Sequence, residues 1–125
     1  MTSIQGGVVR TPKDLQVRQK AIDLAKRVYA LTSHFPRREA YGLAAQMRKT
    51  AVSIPSNIAE GAARNSRKDF VRFLYISLGS VAELETQWVL ACELGYARPD
   101  ELDSHINQIR KMLIGLIRQV ETPSS

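Results

Sequence analysis

Between Phe70 and Ala91 the chain sets Phe70, Leu74, Ser77, Val81, Leu84, Trp88 and Ala91 at alternating steps of four and three. Steps averaging about 3.5 residues keep all seven side chains on one stripe of an α-helix, and an apolar stripe of that length needs a partner surface along its whole extent. The same spacing recurs in Leu102, Ile106, Ile109, Leu113, Leu116 and Val120, in Val17, Ala21, Leu24, Val28 and Leu31, and closely in Leu43, Met47, Ala51, Ile54 and Ile58. Four stripes of similar reach, with no competing two-residue alternation, predict an all-α chain. Short connections make successive helices antiparallel neighbours, so the expected architecture is an up-down-up-down four-helix bundle.

The boundaries follow from local chemistry. Thr11, Pro12 and Asp14 suit an N-cap, a first helical residue and a first-turn carboxylate. Ser33-His34-Phe35-Pro36 breaks the first helix, and the fixed φ of Pro36 suits the opening of the second. Pro55 lies inside that second pattern. It removes the amide that would bond the Ala51 carbonyl, which implies a kink in a helix running to about Gly61, or a full break with Ser56 or Asn57 capping a new helix. Ser66-Arg67-Lys68-Asp69 resembles a capping box for the third helix. Gly95 suits a left-handed cap at its end, and Arg98-Pro99-Asp100 restarts the chain. Residues 1–11 and 122–125 read as tails around a single bundle over 12–121.

The 18 lysines and arginines against 12 acidic residues give a formal charge of +6, with a surplus of cations confined to residues 1–80. Such a surface favours anionic partners. Cys92 is the single cysteine, which excludes an intramolecular disulfide and a multi-cysteine metal site and fits a reducing cytoplasm. No apolar run approaches the length of a bilayer span, so no membrane partner is expected. No cofactor motif is present.

Tyr41-Gly42-Leu43, the run Gln46 to Gly61 (QMRKTAVSIPSNIAEG), Asp69 to Leu74 (DFVRFL), Gly79 to Gln87 (GSVAELETQ) and Leu94-Gly95-Tyr96 together resemble the signature of the 23S rRNA intervening-sequence protein family. The resemblance spans most of residues 14–120. It implies a four-helix bundle assembled as a homo-oligomer, a pentameric ring. A related branch supplies the accessory protein of diversity-generating retroelements, a basic pentamer thought to bind reverse transcriptase and nucleic acid. The resemblance itself assigns no reaction.

Two groups of side chains stand out as candidate sites. Arg48, Lys49, Arg64, Arg67, Lys68 and Arg72 lie around the end of the second helix and the start of the third, where guanidinium forks and free helix amides suit phosphate oxygens. The expected activity is therefore non-enzymatic, sequence-nonspecific binding of RNA or a DNA/RNA intermediate, with a protein-interaction scaffold for an enzyme such as a reverse transcriptase as the alternative. Phe70, Phe73 and Trp88 sit at core spacing and are expected to pack rather than stack on bases. Asn57, Glu60, Gly61, Glu83 and Glu85 form a second, structural or interfacial group. Asn57 is expected to satisfy a carbonyl released by Pro55, and Glu60 or Glu83 to pair with an arginine such as Arg48. Glu101 and His105, one turn apart, offer at most half a metal site.

Overall fold

The computed structural model describes residues 12–122, so the N-terminal tail with the proposed Thr11 cap, and residues 123–125 of the C-terminal tail, lie outside the described residues. Within them the chain forms α1 (Pro12–Thr32), α2 (Leu43–Ala62), α3 (Arg67–Glu93) and α4 (Asp103–Glu121), with 3-10 turns at Arg37–Glu39 and Pro99–Glu101 and no strand. Packing links α1 to α2, α2 to α3, α3 to α4, and α4 back to α1. Residue numbers run in opposite senses across the seams: Ile54 bonds Ser77 while Thr50 bonds Gln87. Likewise Lys13 lies by Gly115, whereas Arg27 lies by His105.

The four stripes meet in one core. All seven residues of the α3 stripe are buried, as are those of α2 and α4, with Ile117 added on α4. On α1, Val17, Ala21, Leu24 and Val28 are buried and Leu31 is partly covered. Ser77 is fully buried yet satisfied, since its hydroxyl donates to the Ile54 carbonyl at 2.9 Å. A lone hydroxyl in an apolar seam is thereby converted into a cross-link between α2 and α3.

Helix ends show where local chemistry decided and where it was overruled. The Ser66 hydroxyl accepts the Asp69 N–H at 3.0 Å and caps α3. Gly95 takes φ 81°, the left-handed region open to glycine, and the Tyr96 N–H bonds back to the Ala91 carbonyl. Pro36, by contrast, does not open α2. Its ψ of 143° is extended, the next residues make only a 3-10 turn, and the helix begins seven residues later at Leu43. The intervening segment seats Phe35 in the core against Tyr96, with ring centroids 5.3 Å apart, and Glu39 then supplies the missing cap by accepting the Leu43 N–H at 3.0 Å. Pro55 does not break α2, which runs unbroken to Ala62, so neither Ser56 nor Asn57 starts a new helix.

Gly61 marks a close approach of α2 to α3. A methyl group there would stand 2.7 Å from Phe73 Cβ and 3.0 Å from Phe70 Cδ1, whereas one at Gly79 would meet nothing within 4 Å. Gly61→Ala should therefore lower the urea midpoint, corresponding to a loss of about 1–3 kcal/mol. Gly79→Ala should raise the midpoint, corresponding to a gain of about 0.5–1 kcal/mol through helix propensity. Glu39 supplies a pH test. The Leu43 amide first, and then the Tyr96 hydroxyl at 2.9 Å, hold its carboxyl below the ordinary glutamate value. A lowered folded value means that ionised Glu39 favours the fold at neutral pH and that this contribution is lost as pH falls through the folded value. Glu39→Gln should be less stable than the parent at about pH 7, the two converging as the pH falls through the lowered folded value.

Candidate nucleic-acid interface

The tight turn between α2 and α3 gathers four of the six expected cations. Arg67 and Lys68 open α3, are exposed, and take part in no ion pair among the described residues. Arg64, just past the end of α2, reaches Glu60 at 3.0 Å, and Arg72 lies 3.9 Å from Asp69. Both guanidiniums also stand over the ring of Phe73, at 4.9 and 4.5 Å from its centroid. Phe73 therefore lies outside the core, unlike Phe70 and Trp88, because α3 turns it toward the two arginines rather than into the stripe. It braces their planes by cation–π contact worth about 0.5–1 kcal/mol each at an exposed site. The two ion pairs are solvent-exposed, with side-chain exposures of 43% to 57%, so each contributes only about 0–1 kcal/mol and yields readily to a phosphate. Unbonded amides at the α3 N-terminus add partial positive charge beside them.

Arg48 and Lys49 do not belong to this corner. Arg48 lies fourteen helical positions before Ala62 at the end of α2, roughly 21 Å along the helix at 1.5 Å per residue. Arg48 sits at the opposite end of the bundle, where its Nε donates to Thr32 Oγ1 at 2.9 Å, a terminal nitrogen donates to the Tyr29 carbonyl at 3.4 Å, and its guanidinium covers the Tyr29 ring at 4.9 Å. It is a C-terminal clamp for α1, placing a cation where that helix carries partial negative charge. Lys49 instead lines a polar groove between α2 and α3.

The second group is also divided. Glu60 pairs with Arg64, one turn along its own chain, and not with Arg48. Asn57 donates to the Ser53 carbonyl at 2.8 Å, so it does not serve the Ala51 carbonyl that Pro55 leaves without its usual amide. Glu85 binds Arg110 of α4 at 2.6 Å, while Glu83 faces the groove on the other flank of α3. Two positions apart on a helix, these carboxylates point away from one another, so they form no acid/base pair. Among the described residues no three His, Cys, Asp or Glu side chains gather as a metal site. Burial first, and then Asp103, Glu101 and Glu93, push the Cys92 thiol up, which disfavours a reactive thiolate.

The α2–α3 groove, about 440 Å³, escaped the sequence reading. Its floor carries Ser53–Ser80 and Gln87–Thr50 hydrogen bonds at 2.8 and 3.1 Å, and leaves Gln87 Oε1 buried without a partner among the described residues. The signal was present as matched polar stripes, Thr50, Ser53 and Asn57 on one helix and Ser80, Glu83 and Gln87 on the other, each at steps of three and four.

The fold and the corner together define an all-α four-helix protein with a basic helix-turn-helix edge. Residues 13–115 match the family model described as 23S rRNA-intervening sequence protein, and the chain belongs to that family. It is similar in structure to a protein of unknown function from the S23 ribosomal protein family of Bacteroides thetaiotaomicron, with a TM-score of 0.78 and 27% identity over 86% of this chain and 99% of the other. Comparison with curated proteins gives no match.

The divided cation set yields a clear contrast. Arg48→Ala should destabilise the fold by about 1–2 kcal/mol through loss of the α1 clamp, while Arg67→Ala and Lys68→Ala should each stay within about 0.5 kcal/mol of the parent in the same denaturation assay.

Proposed function

We propose that this protein acts by binding and not by catalysis: a cytoplasmic homo-oligomer that holds RNA, or a DNA/RNA intermediate, through phosphate contacts that do not read sequence. The observation that carries this reading is the corner formed by Arg64, Arg67, Lys68 and Arg72, in which two cations have no ion pair among the described residues and two are braced on one ring beside a helix N-terminus. Arginine forks and amide donors match phosphate oxygens. Phe70 and Trp88 are buried in the core and unavailable for base stacking, which favours recognition of backbone and shape.

Oligomerisation is supported by a second surface. Ile22, Tyr29 and Val52 are 38%, 48% and 42% exposed and, with Pro55, line an apolar groove of about 360 Å³ between α1 and α2. Contiguous exposed apolar surface of this kind suits a protein contact. A ring of five copies is the assembly that the resemblance to the family implies, and it is the form proposed for this chain. Each copy would present its own basic corner, and several weak contacts to one strand would raise affinity through local concentration. The same apolar groove also supports the alternative of a protein partner, such as a nucleic-acid enzyme docked on a smaller assembly. No described helix is long and apolar enough to cross a membrane, and a lone cysteine fits a reducing compartment.

Fluorescence polarisation with labelled RNA and DNA oligonucleotides over a salt series tests the binding. Four phosphate contacts per engaged corner predict a log–log salt slope of roughly −3 to −3.5. Arg67→Ala/Lys68→Ala should flatten it by about 1.5. Failure of the assembled protein to bind either nucleic acid at low salt would overturn the reading, and a monomeric mass by light scattering would assign the apolar groove to a different protein.

A further inference from the structure

A second set of cations lies on the opposite side of the bundle. On α1, Lys13, Lys20 and Arg27 are spaced by seven residues, two turns apart, and so form one stripe. That stripe borders α4: Lys13 Nζ stands 3.4 Å from the position a Gly115 methyl would take, and Lys20 and Arg27 line a small concave pocket of about 100 Å³ with His105 and Gln108. None of the ion pairs among the described residues involves Lys20 or Arg27. We propose that this α1–α4 pocket binds a phosphate-type oxyanion, with Arg27, Lys20, the His105 imidazole and the Gln108 amide as its donors.

The charges around the pocket favour that ligand. Asp23, the one carboxylate lining it among the described residues, accepts the Gln19 side-chain amide at 3.2 Å, one turn back along α1, and pairs with neither cation. On the α4 side, Glu101 is engaged by the Arg98 backbone N–H at 2.9 Å, and Ser104 Oγ lies 3.5 Å from His105 Nδ1. Burial first, and then Arg27 and Lys20, hold the His105 imidazole below its ordinary value. Two cations close enough to repel protonation of a third group make an arrangement that an anion relieves. A fork, a point charge, a ring N–H and an amide also supply donors from both walls of the pocket, as a tetrahedral oxyanion requires. The site stands apart from the α2–α3 corner and does not depend on it.

The chain has two histidines, so NMR resolves His105 with His34 as an internal reference. Millimolar inorganic phosphate, against sodium chloride at equal ionic strength, should raise the His105 pKa by about half a unit or more and leave His34 nearly unchanged. Lys20→Gln/Arg27→Gln, at two solvent-facing positions, should abolish the phosphate-specific rise. A short oligonucleotide lacking a terminal phosphate distinguishes the source: a rise with it assigns the pocket to backbone phosphate, and a rise with inorganic phosphate alone assigns it to a free anion. Equal shifts in phosphate and chloride, which is screening alone, or no shift with any of these probes, would overturn the proposal.

Discussion

The close approach of α2 and α3 at Gly61 is the constraint on which the basic corner depends. With no side chain at Gly61, Phe70 and Phe73 come against the α2 backbone, and the turn that follows is short enough to bring Arg64 beside Arg72. The Ser77 hydroxyl on the Ile54 carbonyl fixes the same seam two turns further along. Helix packing at about 8–10 Å between axes would be wider had a larger residue stood at Gly61. Pro55 lies on the flank of α2 that lines the apolar groove toward α1, whereas Ser53 and Asn57 on either side of it line the polar groove toward α3.

Electrostatics then divides the molecule by helix. α1 carries Lys13, Arg18, Lys20, Lys26 and Arg27 against Asp14 and Asp23, whereas the second half of α3 carries Glu83, Glu85 and Glu93 and no cation. Ion pairs at the α2–α3 corner are short-range and exposed, so they tune the positions of Arg64 and Arg72 without cancelling their charge toward a strong ligand. Arg48 shows the opposite use of a guanidinium. Its donors are occupied by α1 groups and its face by Tyr29, which makes it part of the fold.

The core was legible because a stripe is a local property: periodicity alone placed every buried residue of α3, and the family signature marked α2 through its proline. What periodicity does not carry is the partner of a polar side chain across a helix seam. Arg48, Lys49 and Glu83 looked like members of clusters because they are near others in sequence, yet a helix separates positions by 1.5 Å per residue and by 100° of rotation, which sends them to different surfaces. The core spacing expected of Phe73 fails because α3 turns that side chain out of the stripe and toward Arg64 and Arg72. Pro36 is the same lesson at a helix end, where seating Phe35 prevailed over the preference of proline for a first turn.

The central claim, that close packing of α2 on α3 creates the principal nucleic-acid contact, is tested most directly by mapping where a bound strand touches the protein. Photocrosslinking of an RNA oligonucleotide to the assembled protein, followed by mass spectrometry of the adducts, should place the major share on residues 62–73. Adducts concentrated on the acidic half of α3, or spread evenly around all four helices, would contradict the account.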